Sequence, residues 1–127
     1  MTATPESATP ATTPPPRTLT VMDGYPRGFA GCSCSFARSR EAFQNQQFVY
    51  LESYGKTDDT ENYRMLTLDG KAVRWPRDED PEGFEFELRV DRERRTDLEV
   101  REIEGSMSLR FTDGAELQSP IFGRCGC

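Results

Sequence analysis

The chain has 127 residues, with 16 basic and 22 acidic side chains, a formal charge of −6 and no histidine. The acidic balance argues against nucleic-acid binding, which needs clustered Lys and Arg to neutralise phosphates, and against adhesion to anionic lipid. Without histidine, Ser-His-Asp and Cys-His catalysis in their usual forms are excluded, as is every metal site that requires imidazole.

Residues 1–20 form a leader rich in Ala, Thr, Ser and Pro, which we predict to be disordered. Leu19 is its only large aliphatic residue after Met1, so the segment cannot bury enough surface to offset its ordering entropy. Two interpretations remain open: a dispensable tail, or the tether of an exported protein or lipoprotein whose full-length precursor carried a signal peptide and a lipid anchor. No apolar run approaches the ~20 residues that cross a bilayer, so no transmembrane segment is expected.

Residues 21–127 are predicted to form a single all-β domain, because short apolar or alternating runs are separated by turns rich in Gly, Asp, Asn and Pro. A strand with alternating cysteines is predicted at residues 31–37, followed by a short helix at residues 39–46 that Ser39 would cap. Further strands are predicted at residues 47–53, 63–68, 71–75, 84–90, 98–103, 107–111 and 117–122.

Two Asp-Gly pairs, Asp69-Gly70 and Asp113-Gly114, are typical of tight hairpin turns, since both residue types tolerate positive φ. Pro120 indicates a weak or edge position in the last strand. Alternation within residues 84–90 leaves one face buried and the other solvated, as in antiparallel sheets. We therefore expect a small antiparallel barrel or sandwich of seven or eight strands.

The four cysteines form two C-x-C pairs, Cys32 with Cys34 and Cys125 with Cys127. Positions two apart in a strand share a face. If the first and last strands are antiparallel neighbours, all four sulfurs gather on one face, with Cys32 opposite Cys127 and Cys34 opposite Cys125.

Three chemical states fit such a gathering of sulfurs. Two disulfides side by side would close a loop of about 90 residues, stabilise the fold by roughly 4–5 kcal/mol and require an oxidising compartment. Four thiolates would suit zinc or cuprous ion, although structural zinc sites usually use C-x-x-C. The third state is a redox-active dithiol at Cys125 and Cys127. The adjacent Arg124 would favour the thiolate form, but no helix follows whose N-terminus could add to this effect.

The two cysteine segments, residues 29–36 (FAGCSCSF) and 123–127 (GRCGC), resemble a family of uncharacterised bacterial exported or lipoprotein-like β domains. Those domains have an early C-x-C strand and end in G-x-C-G-C. The resemblance covers both ends of the domain, and the middle only as strand patterning. It implies a periplasmic or surface location and supplies no activity.

Three other groups of residues have competing interpretations. Acidic residues 78–83 imitate the start of a calcium loop, but loop position twelve falls on Arg89, so a solvated turn is favoured. Residues 91–95 contain three arginines that could bind an anion, and a hairpin loop of mixed charge is favoured. Trp75 and the four tyrosines could line a ligand face, and core packing is favoured.

These observations predict a non-catalytic exported domain that binds a partner, either a protein or a component of the cell envelope, or that supports the envelope. No cofactor is expected under this interpretation. A metal-handling protein that holds zinc or copper through Cys32, Cys34, Cys125 and Cys127 is the first alternative, and a thiol redox protein is the second. An enzyme is least favoured, because no catalytic motif stands out.

Overall fold

A computed structural model describes residues 17–22, 24–26, 29, 31–55 and 62–127. These residues contain seven strands and one short helix, so the expected all-β class is confirmed. Their bounds are β1 Cys32–Ala37, α1 Arg40–Gln44, β2 Phe48–Gly55, β3 Tyr63–Leu68, β4 Lys71–Pro76, β5 Phe84–Asp97, β6 Val100–Phe111 and β7 Glu116–Gly126.

All seven strands belong to one antiparallel sheet in the order β4-β3-β2-β1-β7-β6-β5. The sheet curls until side chains of its two edge strands meet: Trp75 of β4 packs edge-on against Phe84 and Phe86 of β5, with ring centroids 5.6 and 5.5 Å apart. Because β4 and β5 are not hydrogen-bonded to each other, the sheet does not close into a barrel. The architecture is sandwich-like, which was one of the two expected forms.

The concave inner face of the curled sheet carries most of the core, and we use "inner" and "outer" for its two faces. Phe36, Tyr50 and Leu66 fill it from one half of the sheet, and Met107 and Leu109 fill it from the other. Each of these side chains is almost fully buried, and such burial contributes about 1.5–3 kcal/mol per large apolar side chain. The alternation predicted for β5 is also seen, since Phe84 is buried and the following glutamate is exposed.

The outer face of β1 and β2 is also covered, by the segment that precedes β1. Tyr25 packs on Phe48 with ring centroids 4.7 Å apart, and the Ser35 hydroxyl donates to the Tyr25 hydroxyl. Leu51 lies opposite Ser35 on this face and is fully buried. This half of the sheet therefore has apolar contacts on both sides.

Residues 17–20, which the sequence analysis assigned to the leader, pack against the sheet. The Thr20 amide donates to the Thr67 carbonyl at 2.9 Å, and Leu19 is 4% exposed. Arg17 forms an ion pair with Asp113 at 2.6 Å. The buried leucine explains the difference, because it gives this short stretch an apolar anchor. The rest of the predicted leader, residues 1–16, lies outside the described residues.

The predicted local signals are largely confirmed. Ser39 caps α1, since the Ala42 amide donates to its hydroxyl at 3.0 Å. Asp69 and Gly70 have φ values of 51° and 80°, as a tight hairpin turn between β3 and β4 requires. The predicted strands at residues 98–103 and 107–111 are one continuous strand, β6. It continues through the Gly-Ser pair between them because β5 and β7 flank it on both sides.

Pro120 lies in β7, which is a central strand and not the edge strand that the proline indicated. The position is nevertheless open on one side, because β1 pairs only with residues 122–126 of β7. At Pro120 the strand has β6 alone as its neighbour. A proline, which lacks the amide N–H, is tolerated where one flank of a strand needs no hydrogen bond.

Candidate functional site at the disulfide end of the sheet

Two disulfides connect β1 to β7 at the centre of the sheet. Cys34 lies directly opposite Cys125 in the strand register, and these two residues are bonded. Cys32 is bonded to Cys127, one step further along the same pair of strands. The expected convergence of all four sulfurs on one face is confirmed, and it is the disulfide state that the structure shows.

The two bridges differ in their exposure to solvent. Cys34 and Cys125 are 2% and 4% exposed and belong to the core, whereas Cys127 is exposed and Cys32 is half-buried. A reductant would therefore reach Cys32–Cys127 before Cys34–Cys125. We call these the outer bridge and the inner bridge, and these two names refer to their exposure to solvent and not to the faces of the sheet. All four cysteines are paired, so none is a free thiolate that could act as a nucleophile or metal ligand.

A buried carboxylate lies beside the inner bridge. Glu52 of β2 is 8% exposed and accepts hydrogen bonds from the hydroxyls of Tyr50 at 2.5 Å and Tyr54 at 2.8 Å. The Nε atom of Arg64 lies 3.9 Å from the same carboxylate. Glu52 is thus compensated by two donors and a cation, which is the condition for keeping a carboxylate inside a protein.

The Tyr54 hydroxyl also contacts the inner bridge, 2.9 Å from Cys34 Sγ. A disulfide sulfur has no proton, so the hydroxyl is the only donor of this pair, and its single proton is shared with Glu52. Burial, followed by the charge of Glu52, raises the pKa of Tyr54 to about 12, and the same causes raise the pKa of Tyr50. Both phenols therefore stay protonated at physiological pH and act as fixed donors.

A β-bulge in β5 changes which residues of this strand face outward. Val90 lies opposite Gly105, and the next paired residue of β5 is Arg92, which leaves Asp91 as the extra residue. A glycine is needed at position 105, because a Cβ there would lie 1.9 Å from the carbonyl oxygen of Arg89. Beyond the bulge, the even-numbered residues of β5 point outward instead of inward.

The bulge places Arg92 and Arg94 on the outer face, opposite Glu104 and Glu102 of β6. Residues 91–95 were expected in a hairpin loop, and this expectation is wrong because β5 continues through them to the turn that follows Asp97. The loop was predicted because apolar alternation stops after Val90. The structure shows instead that β5 continues past the bulge with charged residues on its outer face.

Glu102 connects three arginines on this outer face. Its Oε1 atom accepts from Arg94 at 2.8 Å and lies 3.7 Å from Arg40, and its Oε2 atom accepts from Arg124 at 3.0 Å. The Glu102 side chain is 7% exposed. The hydrogen bond from Arg94 is the main cause that lowers the pKa of Glu102 below its usual value, so the carboxylate is charged at neutral pH.

Two of these arginines are held in place by aromatic rings. The Arg40 guanidinium lies 4.4 Å from the ring centroid of Phe122, and that of Arg124 lies 5.5 Å from Phe43. The two rings contact each other edge-on at 5.5 Å. We call Arg40, Arg92, Arg94 and Arg124 with Glu102 and Glu104 the arginine cluster. The sequence analysis considered an anion site at residues 91–95 but did not predict the whole cluster, because its members come from a helix and three strands.

The aromatic residues considered as a ligand face are divided by the structure. Trp75, Tyr50 and Tyr63 are buried, as core packing predicts, and Tyr54 is half-buried. Tyr25 is 46% exposed and packs on the outer face. These five side chains therefore do not form one shared surface.

The acidic run that resembled a calcium loop forms the turn between β4 and β5, and residues 78–80 are exposed there. Within the described ranges, no group of three or more Cys, Asp or Glu residues is arranged to hold a metal ion. No helix in the described part of the chain has the length and apolar character that a membrane crossing requires. Comparisons with protein-family models, curated proteins and solved structures gave no match.

Proposed function

We propose that this chain is a non-catalytic exported domain, periplasmic or surface-exposed, with a binding or envelope-structural role. The observation that carries the proposal is that every cysteine is used in one of two bridges that fasten β1 to β7. Disulfides of this kind form and persist in oxidising compartments and are rare in the cytosol. The resemblance of the two cysteine segments to exported or lipoprotein-like domains supports the same location.

Both bridges span almost the entire domain, with sequence separations of 95 and 91 residues. A crosslink that closes such a long loop restricts the unfolded chain strongly. A domain of about 100 residues has a modest core, and proteins outside the cell commonly compensate with disulfides. The bridges therefore support a stable scaffold, and while they are intact they leave no cysteine thiol free to bind a metal.

A thiol count tests this proposal against both cysteine alternatives. Protein recovered without reductant and then unfolded in guanidinium should react with a thiol reagent at no site. Four reactive thiols together with one equivalent of zinc, measured by elemental analysis, would overturn the proposal in favour of metal binding. Two thiols that exchange rapidly with glutathione would overturn it in favour of a redox role. Location is tested by fractionating cells that express the full reading frame, and recovery from the cytosol would contradict export.

A further inference from the structure

The arginine cluster surrounds a small pocket that opens into a larger groove. The pocket has a volume of about 140 Å³ and is lined by Arg40, Arg92, Arg94, Glu102 and Glu104. The groove has a volume of about 390 Å³ and shares Arg40, Arg92 and Glu104 with it. Its remaining wall includes the apolar residues 120–122 of β7. Small-molecule sites typically combine an apolar wall with a few polar groups that converge on one point.

The charge of the cluster is opposite to that of the chain. Three arginines and two glutamates line the pocket, which leaves one positive charge in excess there, whereas the whole protein has a charge of −6. The need to pair the buried Glu102 carboxylate explains why Arg94 and Arg124 are present, since both donate to it directly. It does not explain Arg92, which has no hydrogen-bond or ion-pair partner among the described residues.

Arginine is suited to oxyanions because its planar guanidinium presents several N–H donors in a fixed fork. Here the guanidinium of Arg40 is already oriented by Phe122 and by Glu102, so little of its freedom remains to be lost on binding. Glu102 and Glu104 oppose an anion, but the three guanidiniums of the pocket outnumber these two carboxylates. The pocket therefore remains cationic on balance.

We propose that Arg40, Arg92 and Arg94 bind a phosphate or phosphomonoester group in the pocket that they share. A tetrahedral phosphate directs oxygens toward the three guanidiniums that line the pocket, and its double negative charge strengthens each of these contacts. A carboxylate has only two oxygens in one plane and a single charge. The apolar residues 120–122 would contact the organic part of an ester. This inference names a class of ligand for the binding role that the proposed function assigns to the domain, and it rests on that role.

The test uses inorganic phosphate as the probe, titrated into the whole chain at pH 7.5 and followed by NMR of the backbone amides and arginine Nε–H groups. Saturable shifts should appear for residues of the arginine cluster and weaken with added salt. Arg92→Gln should weaken binding tenfold or more, which is the effect of losing one charge-assisted hydrogen bond. Its unfolding midpoint should not change, because Arg92 has no partner to lose.

Arg95→Gln is the matched control, since it removes the same charge from the same strand on the opposite face. It should leave phosphate affinity within about twofold, given the screening of separated surface charges. Acetate serves as the second probe and should bind at least tenfold more weakly than phosphate. No saturable binding, equal affinity in Arg92→Gln, or equal affinity for acetate would each overturn the inference. The thiol count does not depend on these outcomes, so the two proposals can fail separately.

Discussion

Removing the outer disulfide alone, and then both disulfides together, should show that they close the same loop of chain. The first perturbation is Cys32→Ser with Cys127→Ser, which removes the outer bridge at positions that are not fully buried. The second replaces all four cysteines. Because the bridges are neighbours in one strand pair, the effect of losing the second depends on whether the first is still present.

The expected magnitudes follow from the loop lengths. With neither bridge present, forming the inner one closes a loop of 91 residues, which corresponds to about 4.6 kcal/mol at 25 °C in the chain-entropy relation. With the inner bridge in place, the outer one closes a ring of only about six residues, which corresponds to about 2 kcal/mol. Loss of the outer bridge should therefore cost about 2 kcal/mol, and loss of both about 7 kcal/mol.

Equilibrium unfolding in guanidinium without reductant measures both differences. Wild-type protein unfolded with dithiothreitol is the control, and it should match the variant that lacks all four cysteines. A loss of 7 kcal/mol is comparable to the whole stability of an ordinary domain, so that variant should be largely unfolded or close to it. The reasoning is refuted if removal of the outer bridge alone costs as much as 4–5 kcal/mol, or if the double removal is simply twice the single one.

Two further predictions concern the β5–β7 half of the sheet. Gly105→Ala should destabilise the fold by at least about 2 kcal/mol, because its Cβ would overlap the Arg89 carbonyl and force the bulge to shift. Thermal unfolding measures this effect. An unchanged unfolding midpoint would contradict the role of the bulge. Glu102→Gln should be less stable than wild type at pH 7. The lowered pKa of Glu102 means that its contribution is present above its unfolded pKa of about 4.3 and is lost as pH falls through the lower folded value. The difference in stability between the two proteins should therefore shrink as the pH falls below about 4.3, and a difference that stays constant from pH 7 into the acid range would contradict this.

Sequence patterning predicted the position of most strands, and it predicted the convergence of the cysteines once the first and last strands were taken as neighbours. Alternation within residues 84–90 and the Asp-Gly turns are local signals, and the C-x-C spacing fixes that two sulfurs share a face of a strand. These signals depend only on neighbours in the chain. They also identified Ser39 as a helix cap, since the capping hydrogen bond joins residues three positions apart.

The features that the sequence did not reveal depend on contacts between distant residues. The bulge at Asp91 exists because Gly105, on another strand, makes room for it. Glu102 becomes a buried centre only when Arg40 and Arg124 reach it from a helix and another strand. The sequence does not show on which face of a bulged strand an arginine lies. The arginine cluster as a whole could therefore not be predicted.

The doubled cross-strand bridge also acts as a check on strand alignment. If β7 slid along β1 by one residue, the cysteines of the two strands would face opposite sides and no bridge could form. A slide of two residues would still allow one bridge, but it would leave two thiols unpaired. Only the native alignment consumes all four, so misaligned molecules keep a reactive sulfur through which thiol–disulfide exchange can return them to the correct pairing.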